Sequence, residues 1–287
     1  MPPAPAVSAL ARFKASSPAQ QWFHASPVTL GLGRLALASL LLFDVLRRWS
    51  DLDVWYTNAG LLPNHTMLWA PQSKLGFSVF YSVSQLHEAR FFVLLIIAVY
   101  VGLLVGYRTR LMQVLALLAQ VSLNCRVHFL LNGGDAALSG LLLWSLFLPL
   151  GDWLSVDALR AKLRHSRLTL TDTGVAQLKT DPQHAELFAA PAPRFTWAAG
   201  ALVAQLAVIY FFNFIHKDGS GWREGRVVLD VLQQDRIATA LAVWVRPFIT
   251  PFISGALTTA TLVVEAGLPV LLLLPFKSLW VRRLAVV

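Results

Sequence analysis

Two stretches of this sequence leave little choice of solvent. Residues 196–215 carry no charged side chain, and residues 252–276 carry one, Glu265. At 1.5 Å per residue, about 20 helical residues reach across the roughly 30 Å of hydrocarbon in a bilayer. Backbone N–H and C=O groups in that medium have no water to bond, so a lone run of this length satisfies them best as a helix. The rest of the chain agrees. Of its 287 residues 56% are hydrophobic and only 14% are charged, where soluble domains average about 25%. These values exclude a soluble globular enzyme and a disordered chain. The net charge of +9 is spread between apolar segments, so lipid head groups explain it better than nucleic acid does. A single cysteine, Cys125, excludes an internal disulfide and a cysteine-based metal cluster.

Hydropathy predicts an all-α integral membrane protein, a polytopic helical bundle of six full spans at about 28–46, 91–106, 111–130, 136–150, 196–215 and 252–276. The second and fourth are short for a crossing, so tilting or extension beyond these limits is expected. A seventh run opens at Leu279 and Trp280 and is cut at Val287, so the C-terminus reads as truncated. Residues 1–27 read as a polar leader and 28–287 as the transmembrane domain. With the N-terminus inside, 13 of the 24 Lys and Arg fall on the inner side and 10 on the outer, Arg34 staying within the first span. This bias favours a cytoplasmic N-terminus.

Three connections are too long to be simple turns. The outer stretch 47–90 carries Trp49, Trp55, Tyr56 and Trp69 and is expected to cap the bundle at the interface. The inner stretch 151–194 is polar, with alternating Leu and Thr from Arg167 to Thr173 that suggest a short strand or hairpin. The outer stretch 216–251 is expected to hold a re-entrant or interfacial helix.

Charges inside apolar spans are costly and each needs a reason. Arg34 and Glu265 lie about 9 Å and about 16 Å into the first and sixth spans by helical rise, and could pair. Asp44 has Arg47 and Arg48 one turn on, a helix-end salt bridge. The end of the fifth span is richer, with Asn213, His216, Lys217, Asp218, Gly219 and Trp222 following directly on 20 apolar residues. Burial there would disfavour a charged Lys217 and make it a base, while the alternative is an ammonium anchored among head groups. The turn Asn132-Gly133-Gly134-Asp135 places a carboxylate at a helix start, where the dipole favours it. With six spans, Asp135 and Lys217 fall on one membrane face and could share a cavity.

At these residues the chain resembles the vitamin K-dependent γ-carboxylase family and the related bacterial HTTM (horizontally transferred transmembrane) proteins. The strongest motif is Lys217-x4-Trp222-x2-Gly225 at the end of an apolar span. Asn132-Gly133-Gly134-Asp135, Gly140-Leu141-Leu142 and Trp153-Leu154-Ser155-Val156-Asp157 add to it. So do Arg34 with Asp44, Trp55-Tyr56-x3-Gly60 and Gly106-Tyr107-Arg108. The resemblance implies a bacterial inner-membrane protein with Lys217 facing outward. Its cofactor would be a reduced naphthoquinone, vitamin K hydroquinone or menaquinol. Lys217 would deprotonate it, with Asp135 beside it and Asn132, Trp222, His216 and Asn213 lining the site. Oxygen, and then CO2, would react. Asp135 stands where the animal enzymes have a histidine. A protein or peptide substrate would be held by a domain beyond Val287. The alternative is a quinone- or lipid-binding membrane module, or a membrane partner of a redox protein, without chemistry of its own.

Overall fold

The computed structural model describes residues 23–69, 76–172, 194–234 and 238–273. Most of the polar leader and the whole seventh run lie outside the described residues. The chain divides into two compact units, residues 1–200 and 201–287.

The first unit starts with β1 (His24–Ala25) and α1 (Pro27–Arg47). A 3₁₀ turn, Arg48–Asp51, carries the chain from α1 into α2 (Leu52–Tyr56). Then come α3 (Asn64–Trp69), α4 (Leu86–Val105), α5 (Thr109–Arg126), α6 (Gly133–Ser145), α7 (Val156–Asp172) and β2 (Arg194–Phe195). β2 pairs antiparallel with β1, His24 opposite Phe195. The next helix, α8 (Trp197–Ile215), runs across the division into the second unit. There follow α9 (Ser220–Arg223), α10 (Val227–Leu232), α11 (Ala240–Val245) and α12 (Pro251–Leu273).

Among the described residues, four stretches are long and apolar enough to cross a membrane: Pro27–Tyr56, Leu86–Val105, Trp197–Ile215 and Pro251–Leu273. This fits an all-α membrane protein but not six spans plus a seventh. The second expected span gains its length by starting at Leu86, where Gln85 and Glu88 form a capping box. The expected span at 136–150 fails on length. Helix α6 has 13 residues, about 20 Å of rise. The expected span at 111–130 is not among the four because Gln113, Gln120, Ser122, Asn124 and Arg126 lower the mean hydropathy of α5.

Helices α4 and α5 show why a hydropathy window misjudged the latter. On α4 the buried positions Ala89, Val93, Ile96, Tyr100 and Leu103 recur every three or four residues, a heptad seam packed against Leu37, Ala38, Leu41 and Val45 of α1. On α5 the same spacing picks out Thr109, Gln113, Ala116, Gln120 and Leu123, while Leu111, Val114 and Leu118 are exposed. Its apolar residues face outward and its amides face inward, an order that a window average cannot register.

One local expectation is also corrected. The Leu/Thr alternation from Arg167 onward is helical as far as Asp172, the end of α7; Thr173 lies outside the described residues. Among its described residues the stretch 216–251 holds short helices of four to six residues, α9, α10 and α11. The segment ahead of α4 is tied to α5 by two hydrogen bonds. Ser78 donates to the Ser122 carbonyl at 2.7 Å, and Tyr81 donates to that of Cys125 at 3.0 Å.

The corner joining α4, α5 and α7 is fixed by polar contacts. Gly106 ends α4 in the left-handed region at φ +71°, with Tyr107 N donating to Gly102 O at 3.0 Å. Asp157 then caps α5, accepting from Arg108 N at 2.9 Å, Thr109 N at 2.7 Å and Thr109 Oγ1 at 2.8 Å. Partial burial pushes the Asp157 carboxyl up, but the hydrogen bonds from Thr109 and Arg108 outweigh it and hold the group below the usual carboxylate range. Stability from this lowered value is present above the ordinary pKa of about 4 and fades as pH falls through the folded one. Asp157→Asn should therefore cost about 1 kcal/mol at neutral pH. The difference from wild type should shrink under acid, which thermal unfolding of both proteins in detergent at a series of pH values would measure.

Candidate functional site

In the second unit the expected base and its aromatic neighbour come together. Helix α8 ends at Ile215, and the chain turns with His216 N donating to Phe212 O at 3.2 Å and Lys217 N to Phe214 O at 3.1 Å. This turn directs the Lys217 ammonium onto the carboxylate of Glu265 in α12, with which it forms an ion pair. The same Nζ lies 4.5 Å from the centroid of the Trp222 ring, in cation–π range. Both paired side chains are largely buried, with 20% of Lys217 and 14% of Glu265 exposed.

The loop carrying Lys217 and Trp222 is pinned to α12 by one carbonyl. Gly225 O accepts from Ser254 Oγ at 2.8 Å and from Thr258 Oγ1 at 3.3 Å. Ser254 Oγ in turn accepts from Leu229 N at 3.2 Å, so the hydroxyl holds both ends of the turn. Gly225 has φ +70°, and a Cβ there would lie 2.8 Å from the Gly255 Cα. Only glycine lets the two backbones meet so closely. Ser254, Thr258 and Glu265 are spaced by four and seven residues, so they share one face of α12. That face sets the height of Glu265 relative to the loop.

Glu265 is the residue that sequence reasoning assigned to the wrong partner. As the one charge in residues 252–276 it stood out, but hydropathy carries no information on which cation lies opposite. Arg34 instead bonds three backbone carbonyls: Leu103 at 2.8 Å, Leu104 at 2.6 Å and Leu154 at 2.5 Å. His216 turns its Nδ1 to Phe212 O at 2.8 Å, and Asn213 is exposed.

Asp135 and Asn132 belong to the first unit and are engaged there. Asn132 Oδ1 accepts from Gly134 N at 2.7 Å and Asp135 N at 3.3 Å, while Asp135 Oδ2 accepts from Asn132 N at 3.0 Å. The other Asp135 oxygen pairs with Arg48 Nη2 at 3.2 Å. Arg48 also binds Asp44 at 2.8 Å and donates to the Tyr56 hydroxyl at 3.2 Å. Asp44 thus has the expected helix-end partner in Arg48. With α6 no longer a crossing, the even number of spans that put Asp135 and Lys217 on one face no longer holds.

Chemically, Lys217 and Glu265 offer a donor and an acceptor side by side, a pair between which one proton can move. Trp222 adds a flat apolar surface, and Phe211 and Phe212 are exposed at the same end of α8. Comparison of the chain with protein-family models, curated proteins and solved structures finds no match.

Gly225→Ala should cost about 1–3 kcal/mol through the positive φ alone, with more from the clash at Gly255. Lower thermal stability and easier proteolysis within residues 218–232 would verify that this glycine seats the loop.

Proposed function

We propose that the protein is an integral protein of the bacterial inner membrane, with a cytoplasmic N-terminus and Lys217 toward the outer side. In this reading it handles a reduced naphthoquinone through Lys217 and Glu265. The observation that carries it is the pair itself, a lysine just past the end of one apolar helix and a glutamate within another, with one indole face beside them. Arg108, Arg110, Arg160 and Lys162, which follow the span Leu86–Val105, support the orientation, since basic residues near a span favour the cytoplasmic side.

The residues fit a flat, largely apolar ligand with two hydroxyl groups. Trp222 matches its ring, Lys217 and Glu265 match its hydroxyls, and Phe211 and Phe212 give an apolar approach. A reduced naphthoquinone supplies electrons for O2 and, in a γ-carboxylase-like or epoxidase-like reaction, the strong base needed before CO2 adds to carbon. The protein's own part is proton handling. Glu265 accepts the proton of the Lys217 ammonium, which leaves a neutral amine able to take a hydroxyl proton. Shielding the pair from bulk water keeps that exchange local. Asp135 takes no part in this proposal, because its oxygens serve Arg48 and the α6 cap.

A second reading is a quinone- or lipid-binding module without chemistry. It is favoured by the fact that Lys217 already has a counter-ion. Lys217→Ala distinguishes the two. The enzyme reading requires oxygen-dependent quinol oxidation to fall at least about 100-fold, with quinone binding retained. Unchanged turnover would leave the binding module.

A further inference from the structure

Arg126, the last residue of α5, has a side chain buried as completely as any in the chain, at 0% exposure. It has fewer partners than Arg34, which is as deeply buried, or than the part-buried Arg48. Arg48 meets two carboxylates and a tyrosine, and Arg34 meets three carbonyls. Arg126 donates from Nη2 to Leu62 O at 2.6 Å, while its Nε and Nη1 are buried without a hydrogen-bond partner. Among the described residues no carboxylate forms an ion pair with it. The negative end of α5 offsets part of the charge. It does not replace the hydrogen bonds that two guanidinium nitrogens lack, and an unpaired buried charge is among the costliest features a fold can carry.

The surroundings point the same way. His128, two residues on, also has a buried nitrogen without a partner, Nδ1. The residues just before Leu62 form one wall of an open cavity of about 750 Å³, lined by Gly60 and Leu61 together with Asp53, Thr57, Ser84 and Gln85. Leu62, whose carbonyl takes the one Arg126 hydrogen bond, thus directly follows a wall residue of a space large enough for a small organic molecule or a head group.

We propose that Arg126 anchors an oxyanion, a carboxylate or phosphate group, entering from the cavity beside Gly60 and Leu61. The Leu62 carbonyl is a neutral stand-in that the oxyanion displaces or joins. The charge and spare donors of Arg126 are what such a group requires. This site is independent of the Lys217 reading.

Thermal unfolding of the purified full chain in detergent tests it, with inorganic phosphate and short-chain phosphatidylglycerol as probes. Chloride of equal ionic strength and phosphatidylcholine serve as controls. At about a hundred times its Kd, the active probe should raise the wild-type midpoint by about 5 °C or more. A response to phosphate identifies a soluble source, and a response to phosphatidylglycerol alone identifies a lipid. The shift should vanish in Arg126→Met, whose own midpoint without probe should match or exceed wild type, because an apolar side chain removes the unpaired charge. If that variant fails to accumulate, Ala59→Trp blocks the cavity at an exposed position while leaving the guanidinium in place, and it too should lose the shift. No shift with either probe in wild type, or a shift kept in Arg126→Met or Ala59→Trp, overturns the proposal.

Discussion

Arg34 holds the frame of the first unit together. Its side chain is fully buried in the apolar first half of α1 and reaches the last carbonyls of α4 and the carbonyl of Leu154, so one side chain ties three segments. The end of a helix leaves carbonyls without intrahelical partners and carries partial negative charge. A guanidinium placed there satisfies both, which is why so costly a burial is tolerated. Gly106 completes the arrangement. Its positive φ lets the chain leave α4, and any Cβ would approach Arg34 Nη1 to 2.5 Å. Asp157 N then donates to Gly106 O at 3.1 Å, and its carboxylate caps α5. The positions of α1, α4, α5 and α7 therefore depend on a few polar contacts, with apolar packing filling the space between them.

The same requirement, that every buried polar group find a partner, shapes the interior further along. Tyr100 donates to Gln120 at 3.2 Å, Gln120 to Asn124 at 3.3 Å and Asn124 to Ser139 at 3.1 Å. Ser139 reaches the Asp135 carbonyl at 2.8 Å. Gln113 of α5 bonds the Ser145 carbonyl at the end of α6. Helix α5 is the polar axis of this unit, and its neighbours satisfy much of it, with Arg126 the main exception. Buried networks of this kind specify one packing register, because a shifted helix would leave several groups unpaired at once.

The second unit follows the rule with fewer groups. A glycine contact and two hydroxyls seat the loop on α12, and the seated loop brings Lys217 to Glu265 and Trp222. Lys217 and Trp222 could be singled out from the sequence because they follow directly on an apolar span. Glu265 could be noticed as a lone charge, but its partner could not be chosen. Choosing it needs the register of α12 against Lys217, 48 residues before Glu265, which is a tertiary quantity. Asp135 could be placed at a helix start, yet its engagement with Arg48 depends on how α6 meets the end of α1. Arg126 drew no notice beforehand, because a basic residue at a helix end is ordinary until its side chain is found buried.

What the sequence determined alone was the class of solvent and the identity of the helices that apolar length defines: α1, α4, α8 and α12. Long uncharged runs admit few other solutions, since the backbone must bond to itself wherever water is absent. It also marked the short stretch in which Lys217 lies. The tertiary structure alone decided which faces point inward, and hence that α5 and α6 differ from the long apolar helices. It also decided the partner of every buried charge. Composition averages over the circumference of a helix, whereas electrostatics in an apolar interior acts over a few ångströms and depends on which atoms meet.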